Sequence, residues 1–142
     1  MSIRPATARD FPDVVRLLND GGLPADDLDE ESLGLFLVLD ETGSVKGAVG
    51  LEQYADIALL RSLVVTTELR GGGYGQSLVS AAEELAAKLG VASVYLLTTS
   101  ADDFFRARGY RSIHRDETPS AIKGTTQFSA LCPSTAVLMV KP

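Results

Sequence analysis

The residues best placed to do chemistry are Arg70-Gly71-Gly72-Gly73-Tyr74-Gly75-Gln76, which follow the apolar run Leu59–Val65 and open an amphipathic stretch. Glycines let a backbone come close to a ligand, and a helix start offers unpaired N–H groups at the positive end of its dipole. The chemistry that fits is the binding of an anion, a phosphate above all. A Walker-type loop needs a Lys-Ser/Thr pair after its last glycine, and Gln76-Ser77 lacks the lysine. A dinucleotide fingerprint counted from Gly71 or Gly73 puts Gln76 or Leu78 where the third small residue belongs. The plain alternative is a tight strand-to-helix turn with no ligand.

Other candidate residues are sparser. Glu52 interrupts a run of apolar and small residues near the end of a strand, where a partly desolvated carboxylate suits proton abstraction; the competing reading is an outward-facing strand residue. Arg61 can grip a carboxylate or similar anion in bidentate fashion, or simply form a salt bridge. The acids from Asp26 to Glu31 would attract a cation or form a solvated surface. One histidine, His114, and one cysteine, Cys132, make neither a metal cluster nor an internal disulfide, and Cys132 reads as a small buried hydrophobe rather than a nucleophile.

These residues need a scaffold, and 142 residues at 45% hydrophobic are enough for one domain spanning 1–142. The 19 acidic residues against 13 basic ones are the wrong balance for neutralising a nucleic-acid backbone. No apolar run approaches membrane-spanning length and no signal-peptide pattern opens the chain, so a cytoplasmic protein is expected.

Residues 3–5 suit a short strand, and Thr7 and Asp10 stand at capping-box spacing before a helix patterned on Phe11, Val14, Val15 and Leu18 that ends at Gly21-Gly22. Leu23 to Ser32 is a polar loop. Leu35–Leu39 and Val45–Tyr54 form a hairpin about the turn Asp40–Ser44, and Ile57–Val65 extends it into an antiparallel meander. Leu78, Ala82, Leu85 and Leu89 mark one face of the strongest helix, which stops at Gly90. Val94–Leu97 is a short strand. Ser100 and Asp103 suggest a second capping box, opening a helix that ends at Gly109. Tyr110–His114 and Ala136–Lys141 are candidate strands, with a helical segment at Thr126–Leu131. This order predicts a mixed α/β sheet with helices on both faces.

Arg70-x-x-Gly73-x-Gly75 resembles the pyrophosphate-binding motif of the GNAT N-acetyltransferases. The resemblance extends to the opening Ile3-Arg4-Pro5-Ala6-Thr7, the strand ending Leu63-Val64-Val65, and Phe104-Phe105-x-x-x-Gly109-Tyr110. It implies a mostly antiparallel sheet of about six to seven strands, with a V-shaped cleft for acetyl-CoA and no metal. Leu63, Val64 and Val65 would present backbone to the pantetheine arm, and Arg70, Gly71, Gly72, Gly73, Tyr74, Gly75 and Gln76 would cradle the pyrophosphate. Thr99 and Phe105 would line the same site. The Val65 N–H would polarise the thioester carbonyl, Glu52 would act as base, and Arg61 and Ser62 would meet a small-molecule amine. Family members are often dimers, and the apolar strand Ala136–Val140 is a candidate interface.

A finer likeness, to acetyltransferases encoded beside arsenic-resistance genes, rests on Leu59-Leu60-Arg61-Ser62-Leu63, Thr98-Thr99, Pro119-x-x-Ile122 and Gln127-Phe128-x-x-Leu131-Cys132-Pro133-Ser134. One position departs from the wider family pattern. Where a tyrosine commonly protonates the departing sulfur stands Phe105, leaving the N-terminus of the helix near Ala101, or a hydroxyl of Thr98, Thr99 or Ser62, to help the thiolate leave. The same departure suits a non-catalytic acyl-CoA binding module, while a nucleotide-binding or purely structural domain is a third reading.

Overall fold

The computed structural model describes residues 1–125, 128 and 136–142. Strand β1 (Ser2–Pro5) precedes helix α1 (Phe11–Asp20). The strands β2 (Phe36–Glu41), β3 (Ser44–Tyr54) and β4 (Ile57–Val65) then run in series into helix α2 (Tyr74–Lys88). β5 (Ser93–Thr98), α3 (Asp102–Arg106), β6 (Arg111–Ile113), α4 (Ser120–Lys123) and β7 (Val137–Lys141) follow. The seven strands make one sheet in the order β1-β2-β3-β4-β5-β7-β6, antiparallel except between β4 and β5.

Both faces of this sheet are covered, which is why its strands read as near-continuous apolar runs. Successive side chains take opposite faces. Leu37, Leu39, Val49, Leu51 and Leu60 pack with Leu78, Val79, Ala82 and Ala86 of α2, while Phe36, Val38, Ala48 and Val64 pack with Val14, Leu17 and Leu18 of α1. Each fully buried Leu or Phe contributes roughly 1.5–3 kcal/mol. Phe36 lies flat over Gly50, where an added Cβ would come within 2.4 Å of its ring.

The structure corrects several boundaries. Asp40 and Glu41 belong to β2, paired with Val45 and Ser44, so the hairpin turn is only Thr42-Gly43. Both turn residues have positive φ, as the right-handed twist of the flanking strands favours, and Gly43 N–H donates to Asp40 Oδ1 at 2.8 Å. Leu35 ends a 3₁₀ turn, Glu31–Leu35, rather than starting a strand. The Thr7–Asp10 box forms, with Thr7 N–H donating to Asp10 Oδ2 at 2.7 Å. The Ser100–Asp103 box does not: Thr98 Oγ1 accepts the Ala101 N–H at 2.9 Å and α3 is only five residues long. The expected helical segment Thr126–Leu131 lies, apart from Phe128, outside the described residues, as does Cys132. β7 is hydrogen-bonded to β5 on one edge and β6 on the other, so the apolar character of 136–140 belongs to the sheet interior and not to a free edge for a second copy.

Two features of β4 set its course relative to β5. It pairs with β5 only from Ile57–Leu59 against Ser93–Tyr95, after which β5 continues beside β7 and the two strands separate. It also carries a bulge: Val64 faces Ala48 and Arg61 faces Gly50, leaving Ser62 and Leu63 opposite Val49 alone. Ser62 adopts φ +61°, left-handed geometry rare for a non-glycine residue. The extra residue bends β4 at the point where β5 leaves it.

Candidate active site

Where β4 and β5 part, a cleft of about 650 Å³ opens. Leu60–Val65 line one side, Leu96–Ala101 with Phe104 and Phe105 the other, and Gly21–Pro24 at the end of α1 a third. Strand alternation decides which backbone groups face it. Thr66 N–H donates to Lys46 O on β3 at 2.9 Å, so the Val65 amide, one residue earlier, turns the other way into the cleft. The Val65 carbonyl turns with it and accepts from Arg70 Nε at 3.3 Å. By the same alternation the Leu63 amide faces the cleft and the Val64 backbone faces β3, consistent with Val64 O lying 2.9 Å from a Cβ built on Gly47. Among the described residues no strand pairs with the cleft-facing edge of β4 beyond Leu59, which can therefore take an extended ligand as an additional strand.

At the outer end of this edge, Gly71 and Gly73 have φ +85° and +83°, which L-residues adopt only with strain, and Gly73 caps α2 without any side-chain hydrogen bond. The first amides of a 15-residue helix are thus left uncapped beside Arg70, an exposed cation on the cleft wall. Gly75 lines the cleft under the Phe104 ring, 3.7 Å from where its Cβ would be. This cradle fits a pyrophosphate, and the free strand edge fits the amide-bearing arm of CoA.

Of the sequence-derived candidates, Arg61, Ser62, Leu63, Val64, Val65, Arg70, Gly75, Thr99 and Phe105 all line the cleft. Gly71–Tyr74 and Gln76 surround the start of α2, with Gln76 Oε1 accepting from Arg108 at 3.1 Å. Phe105 is buried, edge-on to Phe104 and Tyr110, and Tyr110 spends its hydroxyl on Glu83 at 2.9 Å.

Glu52 stands outside the cleft lining, in a polar cluster centred on Arg61. The Arg61 side chain is 1% exposed. Its Nε donates to Ser62 Oγ at 2.9 Å, and Nη1 donates to Glu52 Oε2 at 2.7 Å and to Asp27 Oδ2. Nη2 donates to Asp27 Oδ1 at 2.8 Å and reaches Pro24 O at 3.5 Å. All five N–H donors of the guanidinium are thereby used within the protein. Burial pulls the Arg61 pKa down, but hydrogen bonds and charge from Asp27 and Glu52 outweigh it and leave it raised. The hydrogen bond from Arg61 holds Asp27 below the usual aspartate range. Tyr54 donates to Glu52 Oε1 at 2.6 Å, and burial followed by the Glu52 contact pushes its pKa up. Sequence reasoning missed Tyr54 and the Gly21–Pro24 wall, and singled out Asp27 only as one of the acids from Asp26 to Glu31. Nothing marks Asp27 out among the acids around it, whereas Gly21-Gly22 was visible but read only as a helix stop.

Among the described residues no three His, Cys, Asp or Glu side chains are grouped to hold a metal, and no helix is long and apolar enough to cross a membrane.

This geometry has counterparts. Residues 4–110 match the acetyltransferase (GNAT) family, and the chain belongs to it. An amino-acid acetyltransferase from Neisseria meningitidis is 27% identical over 127 residues, covering 84% of this chain and 29% of that protein. An N-acetyltransferase from Chlorobaculum tepidum is 36% identical over 88 residues, covering 61% of this chain and 56% of that one. Among solved structures, N-acetylglutamate synthase from Neisseria gonorrhoeae, complexed with coenzyme A and N-acetyl-glutamate, superposes with TM-score 0.85 at 24% identity, over 99% of this chain and 34% of that one. Rv2747 from Mycobacterium tuberculosis, in complex with CoA, gives 0.83 at 20% identity over 99% and 98% of the two chains. The chain thus spans about a third or less of its Neisseria relatives.

Proposed function

We propose that this chain is an acetyl-CoA-dependent N-acetyltransferase acting on the amine of a small molecule by direct attack in a ternary complex. The observation that carries the reading is the continuity of the free β4 edge with the uncapped, glycine-rich start of α2. Together they match an extended, amide-bearing ligand ending in a pyrophosphate. Leu63 and Val65 would hold the arm through their cleft-facing amides, with Val64 fixing the strand to β3. Arg70, Gly71, Gly72, Gly73, Tyr74, Gly75 and Gln76 would hold the pyrophosphate, and Thr99 and Phe105 would close the opposite wall. When bound, acetyl-CoA supplies the activated acetyl group.

The protein's own part in the reaction is polarisation, positioning and proton removal. The Val65 N–H, which faces the cleft, would polarise the thioester carbonyl of bound acetyl-CoA and stabilise negative charge developing on its oxygen. Glu52, held by Tyr54 and Arg61 and set back from the cleft, takes the amine's proton through water. Arg61 and Ser62 form the acceptor wall. Because every Arg61 N–H is engaged, an acidic group on the acceptor gains the guanidinium only by displacing Asp27 or another internal partner.

For the acceptor, the names of the Neisseria relatives favour an amino group on an amino acid, while the finer likeness in the second half of the chain favours an amine-bearing organoarsenical or another toxic amine. Arsenite itself is unsuited, because it is held by several soft thiolates and the chain has one cysteine. The buried Phe105, which has no proton to give, favours a second reading as an acyl-CoA binding module without turnover. Release of free CoA on adding amines separates the two.

The test is calorimetric binding of acetyl-CoA, CoA, ATP and NAD, with Gly73→Glu placing a negative side chain in the cradle and circular dichroism checking its fold. Selective binding of the CoA species, lost in the variant, is expected. Absence of binding in folded wild-type protein overturns the proposal.

A further inference from the structure

Acyl transfer from a thioester to an amine forms a C–N bond and breaks a C–S bond. The electron pair of the broken bond stays on sulfur, and the amine's surplus proton passes to a base or solvent. Something must stabilise the thiolate that results. No Tyr, His, Lys or Cys among the described residues lines the cleft. Among the described residues, the hydroxyls that line it are those of Ser62, Thr98, Thr99 and Ser100.

Three of the four are poorly placed for this task. Thr99 and Ser100 are exposed at the rim. Ser62 accepts from Arg61 Nε and so belongs to the acceptor wall, with Asp27 and Pro24 behind it. Thr98 is half-buried and, by strand alternation, shares its face of β5 with Val94 and Leu96, which pack in one cluster with Phe105. That is the cofactor wall, continuous through Phe104 with Gly75 in the cradle. Thr98 Oγ1 accepts the Ala101 N–H at 2.9 Å, and Ala101 O in turn accepts the Phe105 N–H at 3.1 Å, so the threonine oxygen is fixed to the turn that carries Phe105. A hydroxyl has one proton to donate, and no described residue accepts this one.

We infer that Thr98 donates its hydrogen bond to the departing sulfur and stabilises it as thiolate, keeping its own proton. The inference rests on the acetyl-CoA reading above and assigns to Thr98 the task that Phe105 has no group to perform.

The experiment is a titration of the CoA thiol while bound to the protein, followed by thiolate ultraviolet absorbance. It compares wild type, Thr98→Val, Thr98→Ser and Ser100→Ala, with calorimetry confirming binding in each. In wild type the bound thiol should ionise at lower pH than free CoA. In Thr98→Val the thiolate fraction below the midpoint should fall about tenfold or more, as expected for losing a hydrogen bond to a charged group. Thr98→Ser and Ser100→Ala should behave as wild type. A purely structural Thr98, holding only the Ala101 turn, would change melting temperature or affinity and leave the bound thiol unmoved. An unshifted thiol in wild type, or equal titrations for wild type and Thr98→Val, overturns the inference. Should Thr98→Val not fold, Thr98→Ala, which also removes the hydroxyl, takes its place with the same expected and overturning outcomes. Failure of CoA to bind at all overturns the cofactor reading as well, whereas binding with an unshifted thiol removes Thr98 alone.

Discussion

Replacing Asp27 by Asn keeps the shape of the side chain and removes the charge that Arg61 grips with both terminal nitrogens. Breaking a buried ion pair by removing one partner costs about 3–5 kcal/mol, because the other charge is left buried. Here Glu52 remains at 2.7 Å as a second counter-ion, and the Asp27 side chain is 14% exposed, so about 2–3 kcal/mol is expected. For a chain of this size that is a fall of roughly 7–10 °C in melting temperature, measurable by calorimetry. The loss should be local in origin, with faster amide exchange across residues 23–28, the segment Arg61 fastens to β4. In an Arg61→Met background the same substitution should cost no more than about 0.5 kcal/mol, since the guanidinium that needs the carboxylate is gone. A wild-type loss below about 0.5 kcal/mol, or an undiminished loss in the Arg61→Met background, would refute this account of the cluster.

Two further outcomes are expected. If Glu52 takes the amine's proton, Glu52→Gln should lower kcat/KM about 10²–10⁴-fold; a glutamine variant with unchanged kcat/KM would exclude the role. Asp10 is held at about 2 against 3.8, chiefly by the Arg4 hydrogen bonds, so its contribution to stability is present above the unfolded value and is lost as pH falls from about 4 towards 2. Asp10→Asn should flatten the pH dependence of melting in that window, and identical slopes for the two proteins would contradict it.

What could be read in the sequence was what depends on neighbouring residues. The glycines at 71 and 73 announce a backbone that only they adopt without strain, and α2 shows its buried stripe at Leu78, Ala82 and Ala86. The hairpins follow from apolar runs between turn residues. The Arg61 cluster was hidden because it joins positions 34 residues apart, and one aspartate among several in a polar loop carries no local mark of its partner. The bulge was hidden because serine rarely adopts a positive φ, so nothing at Ser62 signals one. The second capping box misled because Ser100 has the right spacing, yet Thr98 lies two residues earlier with its hydroxyl already at the Ala101 amide. In each case a long-range or competing contact overrode a local pattern.

β7 lies between β5 and β6, which do not touch each other in the sheet order. During synthesis, the strands β1 to β4 can hydrogen-bond to one another as they emerge. β5 gains its second neighbour, and β6 its first, only when residues 137–141 leave the ribosome. One side of the cleft is thus completed only after the other six strands have been made. A nascent chain interrupted shortly before that point exposes to whatever other chain is nearby the β5 and β6 edges that β7 covers in the folded sheet.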